Sequence, residues 1–176
     1  MSLKKSRIIA VIGTFILSFL FHFAYQVFPN FIFSIFFPVN ESVWEHMKIL
    51  YSSIIFYGII DYFLAKKFNV YYNNFLFNLC FCAFVSILIY LGLFLPFYYK
   101  IGESMFLSIS ILLITYIIIY IVSYYILKSD DFNFNYVWGI LILFGYIVFG
   151  YLTYNPIENQ LFFDTKDEIY GIKKRN

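Results

Sequence analysis

The stretch from Ser104 to Leu127, SMFLSISILLITYIIIYIVSYYIL, lies between Glu103 and Lys128 and contains no charged side chain. A helix needs about 20 mostly apolar residues to cross a bilayer, and a charge near its centre costs about 3 kcal/mol. The stretch therefore predicts a membrane-spanning helix. Reading outward from charge to charge predicts five such spans, at about 8–28, 43–65, 74–95, 104–127 and 136–154. Pro29 and Pro38 isolate Phe31 to Phe37, which is too short to span and reads as a re-entrant or interfacial segment. Pro96 is the expected stop of the third span, and Asn155-Pro156 closes the fifth. The expected fold is all-α: a polytopic membrane helical bundle over residues 1–155, followed by an extramembrane tail, 156–176, placed to cap the outer face.

Composition agrees with this reading. Hydrophobic residues make up 62% of the chain and charged ones 12%, with a mean hydropathy of +0.80, whereas soluble domains carry about 25% charged residues. A net charge of +2, with basic residues flanking apolar runs, excludes a nucleic-acid partner and leaves the lipid bilayer as the principal one, with a lipid or small molecule as the expected ligand. Lys4, Lys5, Arg7, Lys66, Lys67 and Lys128 share one side against Lys48 and Lys100, which predicts a cell-membrane protein with a cytoplasmic N-terminus and an extracellular C-terminus. Lys173, Lys174 and Arg175 run against this bias. The N-terminal segment reads as a retained anchor, because its apolar stretch is long and no A-x-A-like site follows. Cys80 and Cys82 lie one residue apart on a helix, a spacing that disfavours a disulfide. Biased coding accounts for the 25 Phe and 18 Tyr as readily as any aromatic surface does.

Four spans separate the loop at 29–42 from the tail, so both lie at one face whatever the orientation. The densest polar cluster, Pro38-Val39-Asn40-Glu41-Ser42-Val43-Trp44-Glu45-His46-Met47-Lys48, falls there. On a continuous helix Glu41 and Glu45 share a side, with His46 turned about 100° away. Two carboxylates beside an imidazole can bind a divalent metal or act as general acid and base, which makes Glu41, Glu45 and His46 the candidate catalytic residues. The bland alternative is helix capping, since Ser42-x-x-Glu45 is a capping box. His22 lies on a polar stripe with Thr14 and Ser18, and an intramembrane histidine is a functional candidate by default. His22, His46, Glu45 and Asp164 are the candidate metal ligands. Asn74, Asn78, Cys82, Ser86 and Tyr90 form a second stripe that equally suits helix packing, and Asp61 is expected to pair with Lys66 or a lipid headgroup.

The segment Phe37 to Lys48, the Leu-Phe-His-Phe-Ala-Tyr context of His22 and Tyr25, and the tail from Phe162-Phe163-Asp164 to Tyr170-Gly171-Ile172 resemble a family of small bacterial membrane proteins catalogued as domain of unknown function 6512. The resemblance spans nearly the whole chain and implies an architecture without an activity. The residues themselves favour a membrane-embedded enzyme or metal-binding protein with a His/Glu site near the outer face. The alternatives are a small-solute or ion carrier, a membrane subunit of a larger transporter, and a structural or accessory subunit.

Overall fold

A computed structural model describes residues 1–102 and 104–172; Lys173, Lys174 and Arg175 lie outside the described residues. Six helices follow in order: α1 (Leu3–Val27), α2 (Phe31–Phe36), α3 (Val43–Lys67), α4 (Phe75–Ile101), α5 (Met105–Lys128) and α6 (Asn135–Tyr154). A two-stranded antiparallel hairpin ends the described chain: β1 (Phe163–Asp164) and β2 (Ile169–Tyr170), with Phe163 opposite Tyr170. Five of the helices are long and apolar enough to cross a membrane. The protein is an all-α polytopic bundle.

Helices α1, α3, α4 and α5 pack pairwise into a closed ring, and α6 lies against α4 with the short α2 beside it. The most polar spanning helix is also the most buried. The apolar window of α3 has a mean hydropathy of 1.4 with 67% of its residues buried, against 2.6 and 28% for α5. In lipid the exterior must be apolar, so polar side chains are driven to helix–helix contacts where they find partners. The hydroxyls of Thr14 and Tyr120 lie 2.6 Å apart, those of Ser18 and Tyr116 2.7 Å apart, and Tyr51 donates to the carbonyl of Ile142 at 2.9 Å. Both predicted stripes point inward: Thr14, Ser18, Asn78, Cys82, Ser86 and Tyr90 are all buried, and Cys80 and Cys82 are free thiols.

Two expectations are corrected. Pro96 does not stop its helix, and α4 runs on to Ile101. The proline removes one backbone donor and crowds the carbonyl four residues earlier, a loss that membrane helices tolerate when neighbours re-satisfy the freed group. Asp61 does not pair with Lys66. Its carboxylate forms an ion pair with Arg7, accepts from Tyr72 at 2.9 Å and Ser6 at 3.0 Å, and is 3% exposed. Antiparallel packing of α1 on α3 puts Arg7 opposite Asp61, well inside the bundle from Lys66, so Arg7 serves as an internal counter-ion rather than as an exposed topology signal.

At the other end, α2 is too short to satisfy its own last carbonyls, and α3 supplies the donors. Lys48 Nζ donates to the carbonyl of Ser34 at 2.7 Å and Ser52 Oγ to that of Phe36 at 2.6 Å. Lys48 is completely buried, and Glu45, itself 1% exposed, neutralises it at 2.7 Å. Thr153 of α6 donates to the second Glu45 oxygen at 2.8 Å and accepts from Lys48. One ion pair therefore ties α2, α3 and α6 together.

Removing one member of this pair strands a buried charge. Lys48→Met is expected to lower unfolding stability in detergent by about 3–5 kcal/mol, with Lys48→Met/Glu45→Leu recovering most of it. Helices α1 and α3 also meet closely, since a Cβ on Gly13 would stand 2.0 Å from the Tyr57 ring. Gly13→Ala is accordingly expected to cost about 1–3 kcal/mol by overpacking. Gly139→Ala, with nothing within 4 Å, should leave the thermal midpoint unchanged.

Candidate functional site

The loop from Pro38 to Ser42 is held from both sides. From within, Glu45 accepts from the Val39 N–H at 3.0 Å. From the tail, Asp164 accepts from the Glu41 N–H at 2.9 Å, while Asn40 Nδ2 donates to the Gly171 carbonyl at 2.8 Å. The other Asp164 oxygen accepts the N–H groups of Lys166 and Asp167, closing the turn between β1 and β2. The hairpin is seated on the start of α3 by Trp44, whose backbone N–H donates to the Leu161 carbonyl at 2.8 Å and whose ring stacks on Phe162 at 4.7 Å.

Clamped in this way, the loop directs the Glu41 side chain toward α1. His22 Nε2 lies 3.8 Å from one Glu41 oxygen and His46 Nε2 3.4 Å from the other. The two imidazole centroids are 5.3 Å apart, and donor atoms of all three residues fall within 4.8 Å of one another. Ligands bound about 2.0–2.1 Å from a tetrahedral ion stand roughly 3.4 Å apart, so the spacing needs only a small closure to fit a metal. Ser42 contributes twice. Its side chain caps α3 by accepting from the Glu45 N–H, and its carbonyl lies 2.9 Å from His46 Nδ1. With Nδ1–H donating to that carbonyl, His46 Nε2 holds either a proton shared with Glu41 or a metal ion. The hydrogen bond from His46 keeps the Glu41 carboxyl below its ordinary range against the opposing pull of burial.

The cluster is half-buried, with side-chain exposures of 25–27%. Beside it a cleft of about 30 Å³ is lined by Glu41, His46, Tyr90, Tyr98, Ser108 and Thr165 among others. About 10–15 Å³ suffices for one water molecule, so the cleft has room for water next to the ligand atoms. Two histidines and one glutamate leave a coordination position open on a tetrahedral ion, the arrangement that activates a bound water.

Of the candidate residues, the structure brings His22, Glu41 and His46 together and sets Glu45 and Asp164 apart. Glu41 and Glu45 do not share a helix face, because α3 begins at Val43 and Glu41 precedes its cap. The carboxylate of Glu45 is taken up by Lys48, Thr153 and the Val39 N–H, and that of Asp164 by backbone N–H groups. Both place the loop that carries Glu41. Tyr98 and Ser108 were not anticipated at the site. A signal for Tyr98 exists in the every-fourth-residue stripe of Asn74 to Tyr90, which continues through Phe94 to Tyr98; Ser108 carries no comparable mark.

No curated protein and no solved structure matches the chain. The chain matches a family of unknown function, DUF6512, over residues 1–172, and it belongs to that family.

Proposed function

We propose that this protein is a membrane-embedded divalent-metal protein in which His22, Glu41 and His46 hold the ion. The reading rests on one observation: three donor groups, from α1, the loop and α3, converge within 4.8 Å. Support comes from the Ser42 carbonyl, which orients His46 as an outer partner orients a metal-bound imidazole. The donor set suits zinc or a similar borderline ion. Such an ion would supply Lewis acidity and a water acidified to a pKa of about 7, which makes hydrolysis of a membrane-borne or small polar substrate the favoured chemistry. Within that chemistry Glu45 and Asp164 are positioning residues, and the Tyr90 and Tyr98 side chains line the cleft that receives water.

The basic residues at the opposite end support a cell-membrane location with a cytoplasmic N-terminus, which would put the metal cluster toward the outer leaflet. A carrier that used the stripes of α1 and α4 as a pathway finds less support. The hydroxyls along α1 close on Tyr116 and Tyr120, and Cys82 is 1% exposed.

Metal analysis of the purified protein after exposure to Zn²⁺ is expected to find one ion per chain. His22→Ala, His46→Ala and Glu41→Gln should each weaken zinc affinity by more than the about 10–100-fold that loss of an outer partner costs. Each variant should still unfold cooperatively. A wild-type protein that holds no zinc, or variants that hold it as well as wild type, would refute the proposal.

Binding should also depend on pH with a defined sign. Protonated imidazole cannot ligate, so zinc affinity in equilibrium dialysis is expected to weaken as the pH is lowered and the histidines take up protons. Glu41, held below the usual carboxylate range, is ionised before the histidines lose their protons and does not set the pH dependence.

A further inference from the structure

A cavity lies at the opposite end of the bundle from the His22, Glu41 and His46 cluster. It is a groove of about 510 Å³ between α1 and α5, within the size of ordinary ligand sites, which run about 300–1,000 Å³. Its polarity changes along the helix axes. Toward the middle of the bundle it is walled by Val11, Ile12, Ile117 and Ile121; toward the basic end it meets Lys4, Arg7 and Tyr124. That order, apolar inside and cationic at the helix ends, is the order of groups in a phospholipid lying along the bundle.

The polar end is short of anionic partners. Among the described residues no aspartate or glutamate lines the groove. Asp61, which pairs with Arg7, is saturated by Arg7, Ser6 and Tyr72. Lys4 is exposed and takes part in no ion pair among the described residues. The terminal nitrogens of Arg7 are used by Asp61, Ser6, Tyr72 and Ser123, while its Nε–H is buried without an acceptor. Lys128, at the last turn of α5 beyond Tyr124 and Tyr125, adds to the exposed cations at this end of the bundle, which also include Lys5, Lys66 and Lys67.

We propose that this groove is a binding site for an anionic phospholipid, with the headgroup phosphate held by Lys4 at the cationic end, where Arg7 also lines the groove, and one acyl chain lying along Val11, Ile12, Ile117 and Ile121. A zwitterionic headgroup adds a cation where Lys4 and Arg7 already stand, and inorganic phosphate lacks the chain that the apolar wall requires. The site is independent of the metal cluster, which lies at the other end of α1.

The test uses the full-length protein, delipidated in an uncharged maltoside detergent and titrated separately with dioleoylphosphatidylglycerol, dioleoylphosphatidylcholine and inorganic phosphate. Lipid retention is followed by native mass spectrometry and the thermal midpoint by fluorescence. Phosphatidylglycerol should be retained at one copy per chain and raise the midpoint, phosphatidylcholine should be retained more weakly, and phosphate should do neither. Lys4→Glu, at an exposed position, should reduce the preference for phosphatidylglycerol by at least about fivefold, the equivalent of the roughly 1 kcal/mol that one lysine contributes near an anionic surface. Ile121→Trp should block retention of both lipids, while Leu143→Trp, on the exposed face of α6, should block neither. Equal retention of the two lipids by wild type, stabilisation by phosphate alone, or Lys4→Glu and Ile121→Trp proteins that retain phosphatidylglycerol like wild type would each overturn the proposal.

Discussion

The buried pair of Lys48 and Glu45 is the interaction on which the candidate site depends. An ammonium taken fully out of water is tolerable only if its charge is matched and its protons are all directed at acceptors. Here the match is Glu45, and the further acceptors are the Ser34 carbonyl and the Thr153 hydroxyl. Each partner sits on a different element, so satisfying one lysine fixes α2, α3 and α6 relative to one another. The carboxylate that balances Lys48 also takes the Val39 N–H. The loop is thereby anchored three residues before Ser42, and the direction in which Glu41 leaves it follows.

The tail completes this constraint from the other side. Asp164 is 1% exposed although it faces no cation among its hydrogen-bond partners; it is satisfied by three backbone N–H groups, one of them from Glu41. Charge-assisted acceptance of several N–H groups is a strong way to hold irregular backbone at the end of a bundle, where helix hydrogen bonding has ended. The two carboxylates that look most like chemistry in the sequence, Glu45 and Asp164, thus serve as scaffolding on either side of the one that faces the histidines.

The bundle as a whole follows the rule of a lipid solvent. Helix α3 has the lowest hydropathy of the spanning helices and lies deepest, because its serines, tyrosines and charges have partners only inside. Large apolar side chains such as Leu88, Leu143 and Ile147 cover the outside, each more than 60% exposed. The two ends of the interior differ in charge. One holds the Arg7–Asp61 pair among a surrounding excess of lysines, and the other holds a glutamate between two histidines. That contrast separates a lipid-facing cationic groove from a metal-type cluster within one small protein.

The sequence by itself determined the all-α membrane architecture, the five long apolar helices, the short non-spanning piece between Pro29 and Pro38, and the face on which the loop and tail meet. These follow from local composition and parity, since a bilayer requires each span to satisfy its own backbone and to exclude charge. His22 was visible as a candidate because it is an intramembrane histidine, and Glu41 and His46 because they lie in the densest polar cluster of the chain. Their partition into ligands and supports was not visible. It turned on Glu45 being drawn to Lys48 and to Thr153 of α6, and on Asp164 accepting the Glu41 N–H from the tail. Only the tertiary structure decided these, because they are contacts between segments distant in sequence, chosen by which buried charge and backbone donor most needed a partner.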